Sequence, residues 1–432
     1  MQALVVWIYS SAKKQLTRTG KPVRFIFPFQ FIIMSEIQKK IIIVGGGPAG
    51  SSTALHLSKL NPELIPDILL LEKATHPRTK VCSGALSHHG SLVLKGLGIQ
   101  PDVPHIPLRD IRMAYGKHHY SFKGNPVARV FQRSELDQWL LEEVRKSGVE
   151  VRENEGVQQA SIEEDGVTLH TDRAQYRAKM VVAADGASSP VRHALGWPIN
   201  PNNKSRLLDF PSPPEASFPL KPAGVDANHE VSLHERGLAI LYFSRISQGL
   251  QGYLWDIPTQ HGGSLYVDRG LFDSRTFAHR PIVALKDELR PFLAQRNLDL
   301  DSQAQRLSSH PYHFFDPSNE FSRPHILLAG DAAGVDPLCG EGIAFALGYG
   351  RVAAKHLVRG FKNQDFSGKG YKQEILKDPV TKQLRMRFRL ARMAYSIRSS
   401  AVLSAGWSIA SFFARFTKWN NADYVPDNPG KS

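Results

Sequence analysis

Cysteine is almost missing from this chain: Cys82 and Cys339 are the two it has in 432 residues. That excludes a disulfide framework and suits a reducing, cytoplasmic setting. The 17 histidines fall in no metal-ligand spacing. His88-His89 and His118-His119 are adjacent pairs, which point apart on a helix or a strand, so no metal site is expected. Repeats and low-complexity tracts are lacking, and the composition is that of an ordinary globular chain of two or three domains. Acidic residues are absent from residues 1–35, which carry five Lys or Arg, and scarce in 381–432, which carry nine basic and two acidic residues. The ends therefore hold +5 and +7 of the net +14, leaving +2 for the middle. Terminal basicity without an aromatic-interleaved stripe argues against a nucleic-acid partner. Two readings of the tail stay open, peripheral contact with an anionic lipid surface and a solvated basic segment.

Long apolar runs are lacking too. Ala3–Tyr9 is short, has no preceding basic residue and no small-residue cleavage pattern, and fits a signal peptide poorly. An acid-free basic extension also suits a transit segment, but the preferred reading is a mis-called extension over 1–35 ahead of a true start at Met34. Ser399–Ala414 is uncharged and serine-rich, and at 16 residues it is short for a membrane span. It suits a packed or interfacial helix. Before it, Leu384, Phe388, Ala391 and Tyr395 form one helical face and Met386, Leu390, Met393 and Ile397 the opposite one. A helix apolar on two faces is expected to be sandwiched between other elements.

What is present is a nucleotide-binding pattern. Lys40–Val44 reads as a buried strand, Pro48–Leu60 as a helix and Ile68–Glu72 as a second buried strand, a βαβ unit of roughly 30 residues. Gly45, Gly47 and Gly50 lie between the first strand and the helix as G-x-G-x-x-G, with Ala49 inside the motif. The first glycine makes the tight turn, the second lets backbone approach a pyrophosphate, and the third lets helix and strand pack closely. The pyrophosphate would rest on the helix N-terminus. Glu72, followed by Lys73, ends the second strand 22 residues after Gly50, where an acid accepts hydrogen bonds from ribose hydroxyls. These features alone leave NAD and FAD open. Further on, short alternating strands are expected within 111–131. A helix capped by Ser134 should run through Leu136, Leu140, Leu141 and Val144 to Gly148. Strands follow to about 184, then a loop over 200–227, antiparallel strands over 228–272 and a helix over 281–296. The strand Ile326–Ala329, a helix over 342–359 and helices over most of 370–418 complete the chain.

Two later segments separate the cofactors. An apolar strand leads into Asp185-Gly186-Ala187-Ser188-Ser189-Pro190-Val191-Arg192, and another into Gly330-Asp331-Ala332-Ala333-Gly334. The pair resembles the "DG" and "GD" motifs of the FAD family that includes aromatic hydroxylases, geranylgeranyl reductases and flavin-dependent halogenases. The resemblance implies that FAD is the cofactor and that Asp331 bonds the ribityl chain. It also implies that Gly340, Gly342 and Ile343 open a helix toward the flavin pyrimidine edge, and that Arg133 reaches the dinucleotide. No second G-x-G-x-x-G follows, so the reductant is either NAD(P)H, visiting without a domain of its own, or a protein electron donor.

Pro77-Arg78-Thr79-Lys80-Val81-Cys82-Ser83-Gly84 resembles the P-R-x-K-x-C-G-G segment of geranylgeranyl reductases, with Ser83 in place of a glycine. Gly252-Tyr253-Leu254-Trp255-Asp256-Ile257-Pro258 resembles their G-Y-x-W-x-F-P-K, with Ile257 for Phe and Thr259 for Lys; Ile257 leans toward halogenases. The resemblance covers residues 40–360 and implies reduction of C=C bonds in a prenyl or lipid-like substrate. Cys82, Tyr253 and Trp255 are then the candidate catalytic residues. Tyr253 and Trp255 share one strand face, and sheet core is the competing reading for both. A flavin monooxygenase or halogenase and a non-catalytic prenyl-binding protein are the rival readings. The expected architecture is α/β. A discontinuous Rossmann-type FAD-binding domain takes 36–110, 129–200 and 320–360. An antiparallel-sheet substrate domain takes 111–128 and 201–319, and a C-terminal helical region takes 361–432. Oligomeric state is left open.

Overall fold

The computed structural model describes residues 36–198, 204–212 and 233–414. The expectations for 1–35, for most of the 200–227 loop and for the last residues of the tail lie outside them. The chain begins with β1 (Glu36–Val44), α1 (Pro48–Leu60), β2 (Ile68–Leu71), β3 (Ala85–Ser87) and α2 (His88–Leu97). Two long strands follow, β4 (His105–Tyr115) and β5 (His118–Phe131), then α3 (Arg133–Lys146), β6 (Glu150–Arg152), β7 (Gln159–Glu163), β8 (Gly166–His170) and β9 (Gln175–Ala183). Next come α4 (Pro190–Ala194), β10 (Lys204–Ser212), α5 (Leu233–Arg236), β11 (Leu238–Tyr242), β12 (Gly252–His261), β13 (Ser264–Asp273), α6 (Leu285–Ala294) and β14 (Ser308–His313). The chain ends with β15 (Ser322–Arg323), β16 (Ile326–Leu328), α7 (Ile343–Asn363), α8 (Tyr371–Lys377), α9 (Gln383–Ser396) and α10 (Ser400–Ala414).

Two sheets organise these elements. The first runs β15-β16-β9-β1-β2-β6, with β8 and β7 continuing from β9. Its centre is parallel: Ile43 pairs with Leu70 on one side and Val182 on the other, and Leu327 pairs with Val182. A parallel sheet is covered on both faces, so its strands are continuous apolar runs. Ile41–Ile43, Ile68–Leu70 and Val181–Ala183 are accordingly fully buried. Helices α1 and α7 cross tightly beside it: a Cβ added to Gly350 would sit 2.5 Å from the Ala49 carbonyl oxygen, and Ser52 Oγ donates to the Leu347 carbonyl.

The second sheet, β14-β10-β13-β12-β11-β4-β5-β3, is antiparallel apart from the β11–β4 pair. It draws in more of the chain than the sequence reading gave it. Residues 85–87, 105–110 and 129–131 pair here, although they fell within the expected nucleotide-binding segments. Residues 204–212, read as loop, form β10 and pair with both β13 and β14. The surrounding Pro, Asn and Ser residues hid the alternation of Leu208 and Phe210 with Leu207 and Asp209. Helix α3 begins at Arg133 behind Gln132 rather than after a Ser134 cap, and no side chain caps it.

The C-terminal helices span both cores: Tyr371, Ile375 and Leu384 pack with the first, and Ala391, Tyr395 and Leu403 with the second. Leu384, Ala391 and Tyr395 are buried, whereas Met386 and Met393 are more than half exposed. The expected sandwich is therefore one-sided among the described residues. Trp407 of α10 packs on Tyr115, Tyr120 and Phe243, while Val402 and Ile409 stay exposed. No described helix is long and apolar enough to cross a membrane.

Candidate active site

In an open α/β sheet, ligands bind beyond the carboxyl ends of the strands. Here the three glycine-bearing motifs follow neighbouring parallel strands. Gly45 follows β1, Glu72 follows β2, Ala184-Asp185 follows β9 and Ala329-Gly330 follows β16. Backbone bonds lock the ends together: Gly45 N–H donates to the Leu71 carbonyl, Ala184 N–H to Val44 and Ala329 N–H to Ala183. Strand order thus brings residues nearly 300 apart in sequence to one edge.

A cavity of about 470 Å³ opens at that edge. Its wall holds Gly45, Gly47, Ala49, Glu72, Lys73, Arg133, Asp185, Gly186, Gly330, Asp331, Gly340, Gly342 and Ile343. Cys82 lines it as well. Gly50 lies behind the wall, where a Cβ would stand 1.9 Å from the Gly45 carbonyl oxygen. Gly45 has φ +108°, and a Cβ there would meet the Ala184 oxygen at 2.3 Å. Gly47 differs: the nearest atom to an added Cβ is an Arg78 nitrogen 3.6 Å away. Its open side faces the cavity.

The polar groups of the wall are held in place. Glu72 accepts from the Gly46 N–H at 2.7 Å and the Ala74 N–H at 2.9 Å. A carboxylate offers about four lone-pair sites, so it retains capacity for a ligand. Asp185 accepts from Val191 N–H through one oxygen, while its buried Oδ1 has no partner among the described residues. An orphaned buried acceptor at a cavity wall suits a hydroxyl-bearing ligand. Arg133 grips Asp137 through two bonds of 2.9 and 2.8 Å. Burial works against its charge, but Asp137 and Cys82 outweigh that and hold its pKa above the ordinary arginine range. A tight backbone loop, an orphaned acceptor and a cationic rim of Lys73, Arg78, Lys80 and Arg133 fit a dinucleotide pyrophosphate with its sugars.

Several residues have partners that the sequence reading did not give. Arg78 lines the cavity and reaches Asp137 at 3.1 Å. Lys80 Nζ donates to His310 Nε2 at 2.7 Å. Burial first, then the Lys80 charge, lowers the His310 pKa to about 4, so the ring is neutral and accepts. Arg192 ties two motifs together by donating to the Ala332 carbonyl at 2.6 Å. Arg387 of α9 bonds Asp336 at 2.6 Å and Glu341 at 3.0 Å, anchoring the loop before α7 from the C-terminal helices. Tyr395 donates to the Leu338 carbonyl in the same loop. A periodicity count could mark α9 as amphipathic, but nothing in it points to residue 336.

Tyr253 and Trp255 stand elsewhere than Cys82. Neither is in the described cavity wall; both are buried in the second sheet's apolar face. Tyr253 donates to the Cys339 carbonyl at 2.5 Å, and Trp255 Nε1 donates to Asp268 at 3.0 Å. Burial pushes the Cys339 thiol far up, so it stays protonated.

Comparison with known proteins matches this geometry. An FAD binding domain model matches residues 38–210. Over 360 residues the chain is 24% identical to conditioned medium factor receptor 1 of Dictyostelium discoideum, covering 77% of this chain and 66% of that one. It is 25% identical to a digeranylgeranylglycerophospholipid reductase of Methanococcus vannielii, covering 79% and 81%. The structure of a geranylgeranyl bacteriochlorophyll reductase-like protein from Thermoplasma acidophilum superposes with a TM-score of 0.69 at 21% identity, covering 90% of this chain and 98% of that one. Fold and cavity together define an FAD-dependent oxidoreductase. The named reductase is a relative that the chain resembles over 79% of its length, and the solved structure shares the chain's fold.

Proposed function

We propose that this protein reduces isolated C=C bonds of a prenyl or other lipid-like substrate. The reading rests on one juxtaposition: the Cys82 segment, which resembles the reductase motif, forms cavity wall beside the cofactor-binding edge. An aromatic sheet face with Tyr253, Trp255 and Phe272 packs nearby. Bound FAD, once reduced, supplies the hydride. The chain's part is to hold the cofactor through Gly47, Glu72, Arg133, Asp185 and Asp331 and to exclude water. Cys82, in the cavity wall, positions the alkene. The names of the reductase relatives point the same way. NAD(P)H or a protein donor provides the electrons.

The substrate's apolar character suggests where the protein works. Met386 and Met393 are exposed on α9 among the exposed Arg385, Arg389 and Arg392, and Val402 and Ile409 are exposed on α10. That surface suits peripheral contact with an anionic bilayer. Liposome cosedimentation should fall with salt and with Met386→Ser/Met393→Ser; binding unmoved by either discards the membrane part.

The deciding experiment uses the yellow holoprotein, reduced without oxygen and mixed with a prenyl lipid. Mass spectrometry should find two hydrogens added per double bond. Substrate-stimulated oxygen uptake with a hydroxylated or halogenated product would replace this reading with the monooxygenase one. Colourless protein that binds no added FAD would favour a non-catalytic prenyl carrier.

A further inference from the structure

We propose that a carboxyl pair in the second sheet, Asp209 and Asp268, holds one shared proton and is the proton source for the reduction. The inference rests on the functional reading above. Its geometry comes from sheet register. Asp209 on β10 lies opposite Gly270 of β13 and Ser308 of β14. Asp268 on β13 lies opposite Pro211 and Ile257. Opposed residues of an antiparallel pair share a face, and residues two apart share it too. Asp209 and Asp268 are therefore diagonal neighbours on the face that carries Trp255, His310 and Tyr312. His310 and Tyr312 line the cavity. Gly270, between the two acids, has no side chain, and the Trp255 ring takes that space: a Cβ there would lie 2.4 Å from it.

The pair is buried, with exposures of 8% for Asp209 and 3% for Asp268. As diagonal neighbours on one face the two carboxyls can reach each other, and a proton on one of them would then be shared. The Oδ1 atom of each finds no hydrogen-bond partner among the described residues. Trp255 Nε1 donates to Asp268 Oδ2 and so sets that carboxyl's orientation. Tyr312 of β14 and His261 at the end of β12 share the pair's sheet face, and Tyr312 also lines the cavity. Asp256, on the opposite sheet face, shows the ordinary alternative: Arg269 and Arg296 hold it as a paired carboxylate at 3.0 Å each. Burial first, and then each acid's proximity to the other, raises the Asp268 pKa, and burial raises that of Asp209. Two adjacent buried carboxyls do not both ionise, and the pair titrates as a unit.

Reduction of an alkene needs such a group. The π bond breaks, one carbon receives hydride with both electrons from reduced FAD, and its neighbour receives the proton. The pair is then left doubly ionised, an unfavourable state in that setting, and regains a proton from solvent. Protonating an unactivated carbon is demanding, and an acid held protonated at neutral pH by its partner suits it.

The test has two readouts. Infrared spectra of wild-type protein at neutral pH should contain a protonated-carboxyl stretch that shifts in D2O and disappears in both Asp268→Asn and Asp209→Asn. Asparagine keeps the size and can still accept from Trp255. In single turnovers, Asp268→Asn should slow flavin reoxidation by prenyl lipid about 100-fold or more, with flavin content and substrate affinity unchanged and partial rescue by Asp268→Glu. Absence of the band, or a band with wild-type turnover in both Asn variants, overturns the proposal. So does loss of flavin in both, which would make the pair structural. Wild-type protein inert toward prenyl lipid would overturn the functional reading and the pair's catalytic part. The band would still decide whether the proton is shared.

Discussion

Along the carboxyl edge of the parallel sheet, the cavity wall is mostly backbone: Gly45, Gly47, Gly186, Gly330 and the start of α7, with Glu72 and Asp185 fixed by backbone N–H groups. Toward the second sheet the wall and its support are side chains: Cys82, His310 and Tyr312, with the loop before α7 held by Arg387, Tyr253 and Tyr395. A backbone wall depends on conformation and close approach, so few residues can be exchanged there. A side-chain wall depends on partners, so its residues can change in sets. The first region has the backbone shapes that a dinucleotide needs, and the second is built of side chains that can vary.

The largest effect should separate two glycines of the same motif. Gly50→Val drives a side chain into the Gly45 carbonyl and should destabilise the fold by more than about 4 kcal/mol, read by thermal unfolding of the apoprotein. Gly47→Val meets only the end of Arg78, so the apoprotein should melt near wild type while flavin binding is lost. Equal melting of both variants would mean that the loop's tightness is not what holds this end together.

Arg387→Met tests the side-chain end. Asp336 is fully buried, and removing one partner of a buried ion pair costs about 3–5 kcal/mol. Denaturant titration should report that loss, and Asp336→Asn in the same chain should recover part of it. An unaltered midpoint would show that α9 rests on the loop without supporting it.

Asp331→Ala lies between the two regions. We expect FAD affinity to fall by about 2–4 kcal/mol through a lost charge-assisted bond, measured by flavin titration of the apoprotein. Near-normal affinity would remove Asp331 from the ribityl role.

Acid should act on the parallel-sheet half through His56. Burial lowers its pKa from 6.5 to about 4, although the Ser52 carbonyl accepts from its ring. The unfolded chain therefore takes up the proton first as pH falls. Stability is complete above pH 6.5 and declines between 6.5 and 4, by at most about 3 kcal/mol. Denaturant midpoints should fall across that window in wild type and less in His56→Asn; parallel curves would reject the assignment.

Tyr253→Phe should have the smallest effect. Its hydroxyl makes one bond to a backbone carbonyl, worth about 1 kcal/mol. A turnover loss much larger than that, with stability intact, would move Tyr253 from sheet support to the chemistry.

The glycine motif, the acid after β2 and the two aspartate segments were legible because each is a local pattern. A strand feeding a turn feeding a helix announces itself within ten residues, and glycine's backbone freedom has no substitute. The sheet alternation of Tyr253, Leu254 and Trp255 was equally plain. β10 was not, because proline and asparagine around it signal loop while its partners are more than 50 residues away. The sequence by itself thus determined that a dinucleotide pyrophosphate has a place to bind, since that requires particular backbone shapes and those shapes require glycine at fixed spacing; FAD rather than NAD came from the resemblance of the two aspartate segments. The tertiary structure alone decided that Asp209 meets Asp268, that Lys80 meets His310 and that Arg387 meets Asp336. A side chain's partner across a sheet or between helices is set by register and strand order, and these follow from how the whole chain buries its apolar faces.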